Sequence, residues 1–215
     1  MGFDDCVDNQ SKNEHDKAIA DYDEAIWLDP HDAVAYRQRG CSWSARMLYD
    51  RSIADFNGAI RLNPQYALAY ANRGSAWLNR REFDKGLADF DEAIRRDPKL
   101  AAAYQWRGIT WMLKRAFDKA IADFDQAIRL DPQSALAHCN RGRAWCCKKD
   151  YEKAMTDLNE AIRLDPQSAV SYYNRGLVWS KRGDAGKAQD DWDQADRLDP
   201  RLAGDGAINN LFRGR

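Results

Sequence analysis

The chain has 215 residues, of which 44% are apolar and 31% charged, with a formal net charge of −1. That balance suits a packed, water-soluble protein and excludes a disordered one. It also removes the basic footprint expected of a nucleic-acid binder. No apolar run approaches the roughly 20 residues needed to cross a bilayer, so neither nucleic acid nor membrane is expected as a partner. The five cysteines (Cys6, Cys41, Cys139, Cys146 and Cys147) are odd in number and follow no framework spacing. They predict simple thiols in a reducing, cytoplasmic setting.

In chain order, residues 1–15 (MGFDDCVDNQSKNEH) carry few apolar groups at helical spacing and predict a frayed or degenerate helix. From Asp16 the segment DKAIADYDEAIWLDP predicts an amphipathic helix over about 16–28. A unit then recurs every 34 residues. Arg-Gly appears at Arg39-Gly40, Arg73-Gly74, Arg107-Gly108, Arg141-Gly142 and Arg175-Gly176, and a tryptophan follows each glycine by three (Trp43, Trp77, Trp111, Trp145, Trp179). All six prolines, from Pro30 to Pro200, fall on the same ruler. The units run 33–66, 67–100, 101–134, 135–168 and 169–202, leaving 1–32 as a half repeat and 203–215 as a tail or short cap.

Within each unit the second helix carries one apolar stripe, as in Ala120, Ile121, Phe124, Ala127 and Ile128. Asp50, Asp84 and Asp118 stand where a side-chain cap is expected for second helices, and Ser134 and Ser168 for first helices; Tyr66 and Leu100 cannot cap. Five glycines in register inside helices predict close helix approach, because each costs about 1 kcal/mol relative to alanine. The recurring Arg107 and Asp123, with their counterparts, predict structural pairs between helices.

The two ends differ. Second helices present apolar pairs such as Ile121/Ile128 to the next unit, but the last presents Gln189 and Asp196, the polar face expected at the end of a stacked array. In the tail, Ile208, Leu211 and Phe212 suit a short cap, while Gly204 and Gly206 favour flexibility. At the other end Trp27 takes the place of Arg61, Arg95, Arg129, Arg163 and Arg197. Either Phe3 and Val7 fold back over it, or the chain self-associates there as a homodimer.

A fixed period of 34 residues is the length of a helix–turn–helix repeat. With its Arg-Gly, tryptophan and proline positions, the chain resembles the tetratricopeptide repeat (TPR) family over nearly its whole length. The resemblance implies an all-α, right-handed TPR superhelix whose first helices line a concave groove that binds extended peptides or partner segments. It places Gln38, Asn72, Trp106, Asn140 and Asn174 in that groove, similar to the asparagine ladder with which some members hold a peptide backbone. An amide offers both donor and acceptor, so it can pair with a peptide unit without reading its side chain; the alternative is that these groups bond within the repeat. Around Trp106 the groove side offers Ile109 and Met112, with Tyr173 further along, an anatomy of the binding hot-spot kind. Arg37, Arg143 and Lys181 suit an acidic or carboxylate group. The subtype that clamps chaperone-tail carboxylates is a poor match: Cys41 replaces its first Asn, and Ala102 and Trp106 replace its Lys and Arg.

No phosphate-cradling loop or nucleophile–base pair is present, so a non-catalytic protein–protein scaffold without cofactor or metal is expected, with self-association through Trp27 as the alternative. His138, Cys139, Cys146 and Cys147 make one metal-like cluster. On one helix Cys139 and Cys146 are separated by about 10 Å of rise, too far to share a zinc ion.

Overall fold

The computed structural model describes residues 12–200, all helical apart from short turns. The expectations for Phe3, Val7 and the Ile208–Phe212 segment fall outside the described residues. First helices of the repeats are α2 (Ala33–Ala45), α4 (Ala67–Asn79), α6 (Ala101–Leu113), α8 (Ala135–Cys147) and α10 (Ala169–Arg182). Second helices are α3 (Tyr49–Leu62), α5 (Phe83–Arg96), α7 (Phe117–Leu130), α9 (Tyr151–Leu164) and α11 (Ala185–Leu198), preceded by α1 (Lys12–Leu28). The chain is therefore an all-α fold of consecutively packed helix pairs. It divides into two compact units at Thr110 and Trp111, within α6. In the first, α2 packs on α1 and α3, and α4 on α3 and α5; in the second, α8 packs on α7 and α9, and α10 on α9 and α11. α1 starts one turn before the expected Asp16, and His15 in that turn is buried.

Close approach explains the helical glycines. A Cβ on Gly40 would lie 2.7 Å from the Phe56 ring, and one on Gly74 would lie 2.7 Å from Phe90. In the second unit Gly142 faces Leu158 at 2.9 Å and Gly176 faces the indole of Trp192 at 2.6 Å. Those large residues head the core: Phe56 packs with Ile53 and Ala76 in the first unit, and Leu158 with Cys139, Met155 and Val178 in the second.

Arg39, Arg73, Arg141 and Arg175 of the Arg-Gly pairs each tie three helices together. Arg73 holds Asp89 with two parallel bonds (2.8 and 2.6 Å), and its other terminal nitrogen donates to Asn57 Oδ1 at 2.6 Å. Arg39 does the same with Asp55 and Asp23, Arg141 with Asp157 and Asp125, and Arg175 with Asp191 and Asn159. The pairing within a repeat follows the expectation; the reach back by 16 residues into the preceding second helix was missed, although an Asp or Asn stands there in every unit. The same guanidinium lies on the tyrosine three residues earlier, as Arg73 does on Tyr70 at 5.5 Å. Where His138 replaces that tyrosine, its Nδ1 lies 3.3 Å from Asp157 Oδ1, which makes it a packed histidine.

A second series covers the tryptophans. Each ring is met by a cation eight residues on, from Arg51 on Trp43 (4.8 Å) to Lys153 on Trp145 (4.3 Å) and Lys187 on Trp179 (4.4 Å). A half-buried indole thus keeps one face in the core and offers the other to a charge that stays in water.

The caps differ in part from expectation. Ser134 and Ser168 accept the backbone N–H groups of Ala137 and Ser171, and Asp32 caps α2. Asp50 and Asp118 do not cap: α3 and α7 begin one residue before them, with N-caps Leu48 and Ala116 that make no side-chain bond. Their carboxylates pair instead with Arg80 and Lys148 of the next first helix. Asp84 likewise lies inside the first turn of α5, whose N-cap is Glu82.

Candidate functional site

The surface of interest is built by the outward faces of the first helices. In the first unit, Val34, Arg37, Gln38 and Cys41 share a face of α2, at i, i+3, i+4 and i+7. Arg37 is half-buried and fixed from several sides. Its Nε donates to the Tyr66 hydroxyl at 2.7 Å, one terminal nitrogen to Gln38 Oε1 at 2.8 Å, and the other approaches Cys41 Sγ at 3.8 Å. Leu68 and Asn72 occupy the same face of α4. Asn72 is only 5% exposed, and its amide donates to Cys41 Sγ at 3.1 Å, across to the preceding first helix. Trp106 and Ile109 are half-buried on α6.

In the second unit Asn140 is half-buried, and its Nδ2 has no hydrogen-bond partner. Asn174 is 3% exposed; its Nδ2 donates to Cys139 Sγ at 3.3 Å, while its buried Oδ1 has no partner. Met112, expected on the groove side, is buried. Arg143 and Tyr173 are half-buried. Burial pulls the Arg143 pKa down, against the opposing pull of the thiols of Cys147, Cys139 and Cys146 and of the Tyr173 phenol. The asparagines therefore behave unequally. Asn72 and Asn174 spend their donors inside the wall, Asn140 holds its Nδ2 buried without a partner, and Gln38 accepts from Arg37.

The thiols are poor nucleophiles. Burial pushes Cys146 up to about 11 and also raises Cys139 and Cys147, so all three stay protonated at neutral pH. Cys139, Cys146 and Cys147 are free. Cys41 is disulfide-bonded, which departs from the expectation of simple thiols. Among the described residues no group of His, Cys, Asp or Glu is arranged to hold a metal ion, and no helix is long and apolar enough to cross a membrane.

Two features escaped sequence reasoning. Arg37 and Tyr66 are 29 residues apart, off the period, so nothing marks them as partners. The first turns of the first helices also expose aliphatic side chains at one repeat position: Val34, Leu68, Leu136 and Val170, at 38–53%. Their 34-residue spacing was the signal that could have found them. Second helices instead turn ion pairs outward, such as Arg95–Glu92 and Arg163–Glu160, both at 2.7 Å. Trp27 and Leu28 at the end of α1 are exposed, at 79% and 68%.

Comparison with known proteins agrees with this architecture. Family models described as "TPR repeat" match residues 116–145 and 146–183, and one described as "Tetratricopeptide repeat" matches 46–101. No curated protein sequence matches the chain. Among solved structures, YrrB, described as a TPR protein with an unusual peptide-binding site, is 20% identical with a TM-score of 0.64, covering 83% of this chain and 92% of its own. TTC0263 of Thermus thermophilus, a thermophilic TPR protein, is 18% identical with a TM-score of 0.69, covering 84% and 96%. Yeast Tom70 is 21% identical with a TM-score of 0.71, covering 94% of this chain and 43% of its own. Likeness at these identities shows the fold. With the helix-pair packing, the 34-residue register and the matched models, the chain belongs to the tetratricopeptide repeat family.

Proposed function

We propose that this chain is a non-catalytic scaffold that binds an extended segment of a protein partner on the surfaces of its first helices. The observation that carries the reading is the register of exposed aliphatics Val34, Leu68, Leu136 and Val170 on first helices, where second helices expose ion pairs. Within each unit, apolar groups repeated at one position of successive first helices mark an interaction surface. Beside them, Trp106 and Ile109 in the first unit and Arg143 and Tyr173 in the second supply aromatic and charged anchors. Gln38 supplies an amide for the segment's main chain, and Asn72 and Asn174 stiffen the wall behind it.

The test is a peptide array probed with the wild type and with Trp106→Ala and Arg143→Ala variants. Hits lost in either variant support the reading and report the partner's side chains. Hits that survive both changes remove it.

A second reading has its own observation in the exposed Trp27 and Leu28. It makes the end of α1 a self-association surface that forms a homodimer. Mass that rises with concentration and returns to the monomer in Trp27→Arg would support it, and a monomer at all concentrations would remove it.

A further inference from the structure

Among the described residues α1 is a second helix with no first helix before it. Elsewhere the stripe of a second helix is sealed: Phe56, Phe90, Phe124 and Leu158 are fully buried, as are the alanines three residues on, such as Ala59 and Ala93. Their counterparts in α1, Tyr22 and Ala25, are only half-buried. Asp21 is exposed, although Asp55, Asp89, Asp157 and Asp191 at its position are buried against an arginine of their own repeat. Leu28, exposed on the same side, continues this open face.

The segment that stands 34 residues before α2, where a covering helix would come from, is residues 1–11. Of the five cysteines, Cys139, Cys146 and Cys147 are free and the buried Cys41 is disulfide-bonded, which leaves Cys6 as its partner. The register agrees. Cys139 Sγ accepts from Asn174, 35 residues on in the next first helix, at 3.3 Å, and Cys6 and Cys41 are 35 residues apart as well. Six residues separate Cys6 from Lys12 at the start of α1, a reach of about 20 Å, enough to cross neighbouring helices about 10 Å apart.

Non-covalent contacts do not favour that cover. Asp5 takes the place of Arg39, so it would bring a like charge to Asp21 where the other units bring a guanidinium. Cys6 takes the place of Gly40, where a Cβ would lie 2.7 Å from Phe56, so it cannot seat on Tyr22 as a glycine does.

We infer that a Cys6–Cys41 disulfide ties residues 1–11 over the Asp21–Tyr22–Ala25 face of α1, and that reduction uncovers this face. Forming the bond removes two protons and two electrons from the thiols, and a low-molecular-weight disulfide takes them up. One protein thiolate attacks its S–S bond and releases a first small thiol; the second protein thiolate displaces the other and closes the protein S–S bond. The inference is independent of the peptide-binding reading.

The experiment treats the full chain with oxidised glutathione or with a phosphine reductant, then applies peptide mapping and hydrogen exchange. Mapping after glutathione should find Cys6 joined to Cys41 within one chain, with the other three thiols alkylated once the protein is unfolded. Amides of α1 should exchange about tenfold faster in the reduced protein, while those of α9 stay unchanged. Cys6→Ser should exchange like reduced wild type under both reagents. Asp5→Arg/Cys6→Gly gives the segment the Arg-Gly pair of the other units, and its α1 should be protected under both. The wild-type comparison requires no variant to fold. Cys6 and Cys41 both alkylated after glutathione, a link between two copies, or α1 exchange indifferent to reduction in wild type would each overturn the inference.

Discussion

The guanidinium of Arg141 grips the buried carboxylate of Asp157 with two parallel hydrogen bonds of 2.6 and 2.8 Å. Its remaining terminal nitrogen bonds Asp125 of the preceding second helix at 2.7 Å. One side chain thus joins α7, α8 and α9. Arg141→Met should leave the buried Asp157 without its guanidinium, with only His138 beside it, and destabilise the protein by about 3 kcal/mol. Arg163→Ala, which breaks an exposed pair with Glu160, should cost less than about 1 kcal/mol. Urea denaturation of both variants checks the contrast, and equal losses would contradict it.

Glycines at helical positions divide into two kinds. Gly74 has no room for a methyl group, since a Cβ there would meet the Phe90 ring at 2.7 Å. Gly74→Ala should destabilise by about 1–3 kcal/mol despite alanine's better helix propensity. Gly186 has only Asp184 Oδ1 near a built Cβ, at 3.9 Å. Gly186→Ala should stabilise by about 0.5–1 kcal/mol, so thermal melts of the two variants should move in opposite directions.

The turn after each first helix needs a left-handed residue. Gly183 meets that need with φ 87°, but Met47, Arg81, Arg115 and Lys149 adopt φ of 58–66° with side chains that disfavour it. Lys149→Gly should raise stability by about 1 kcal/mol, the relief of strain exceeding the entropy that glycine adds to the unfolded chain. The same change at Ala144, inside α8, should lower it. A melt that falls for Lys149→Gly would refute the strain argument.

Two exposed caps carry a pH signature. Asp150 and Asp184 are held below the usual carboxylate range by hydrogen bonds from the side chains and then the backbones of Lys153 and Lys187. A carboxyl whose folded pKa is depressed stabilises the fold fully above its unfolded pKa of about 4, and that contribution is lost as pH falls through the folded value. Asparagine caps equally well without titrating. The Asp150→Asn/Asp184→Asn double variant should therefore lose stability less steeply than wild type below about pH 4, as read by circular dichroism during acid titration.

Much of the fold was legible because a repeat places every residue type in the same surroundings each time. The 34-residue register of Gly74 and Phe90 carried the close helix approach, and the fixed spacing of Arg73 and Asp89 carried their pairing, since 16 residues separate them in every unit. Helix order, the apolar stripes and the polar face of α11 came from periodicity and hydrophobic burial alone. The tertiary structure decided the places where the period breaks or where two repeats meet. Whether the amide of Asn72 turns outward or inward depends on the sulfur of Cys41 lying 3.1 Å away across the helix junction. Asp50 proved to be an ion-pair partner of Arg80 rather than a cap, because α3 begins at Tyr49. Tyr66 reaches Arg37 because the loop before α4 passes beside α2. Spacing along a chain encodes which face of a helix a residue occupies; the distance between faces of different helices exists only once they have packed.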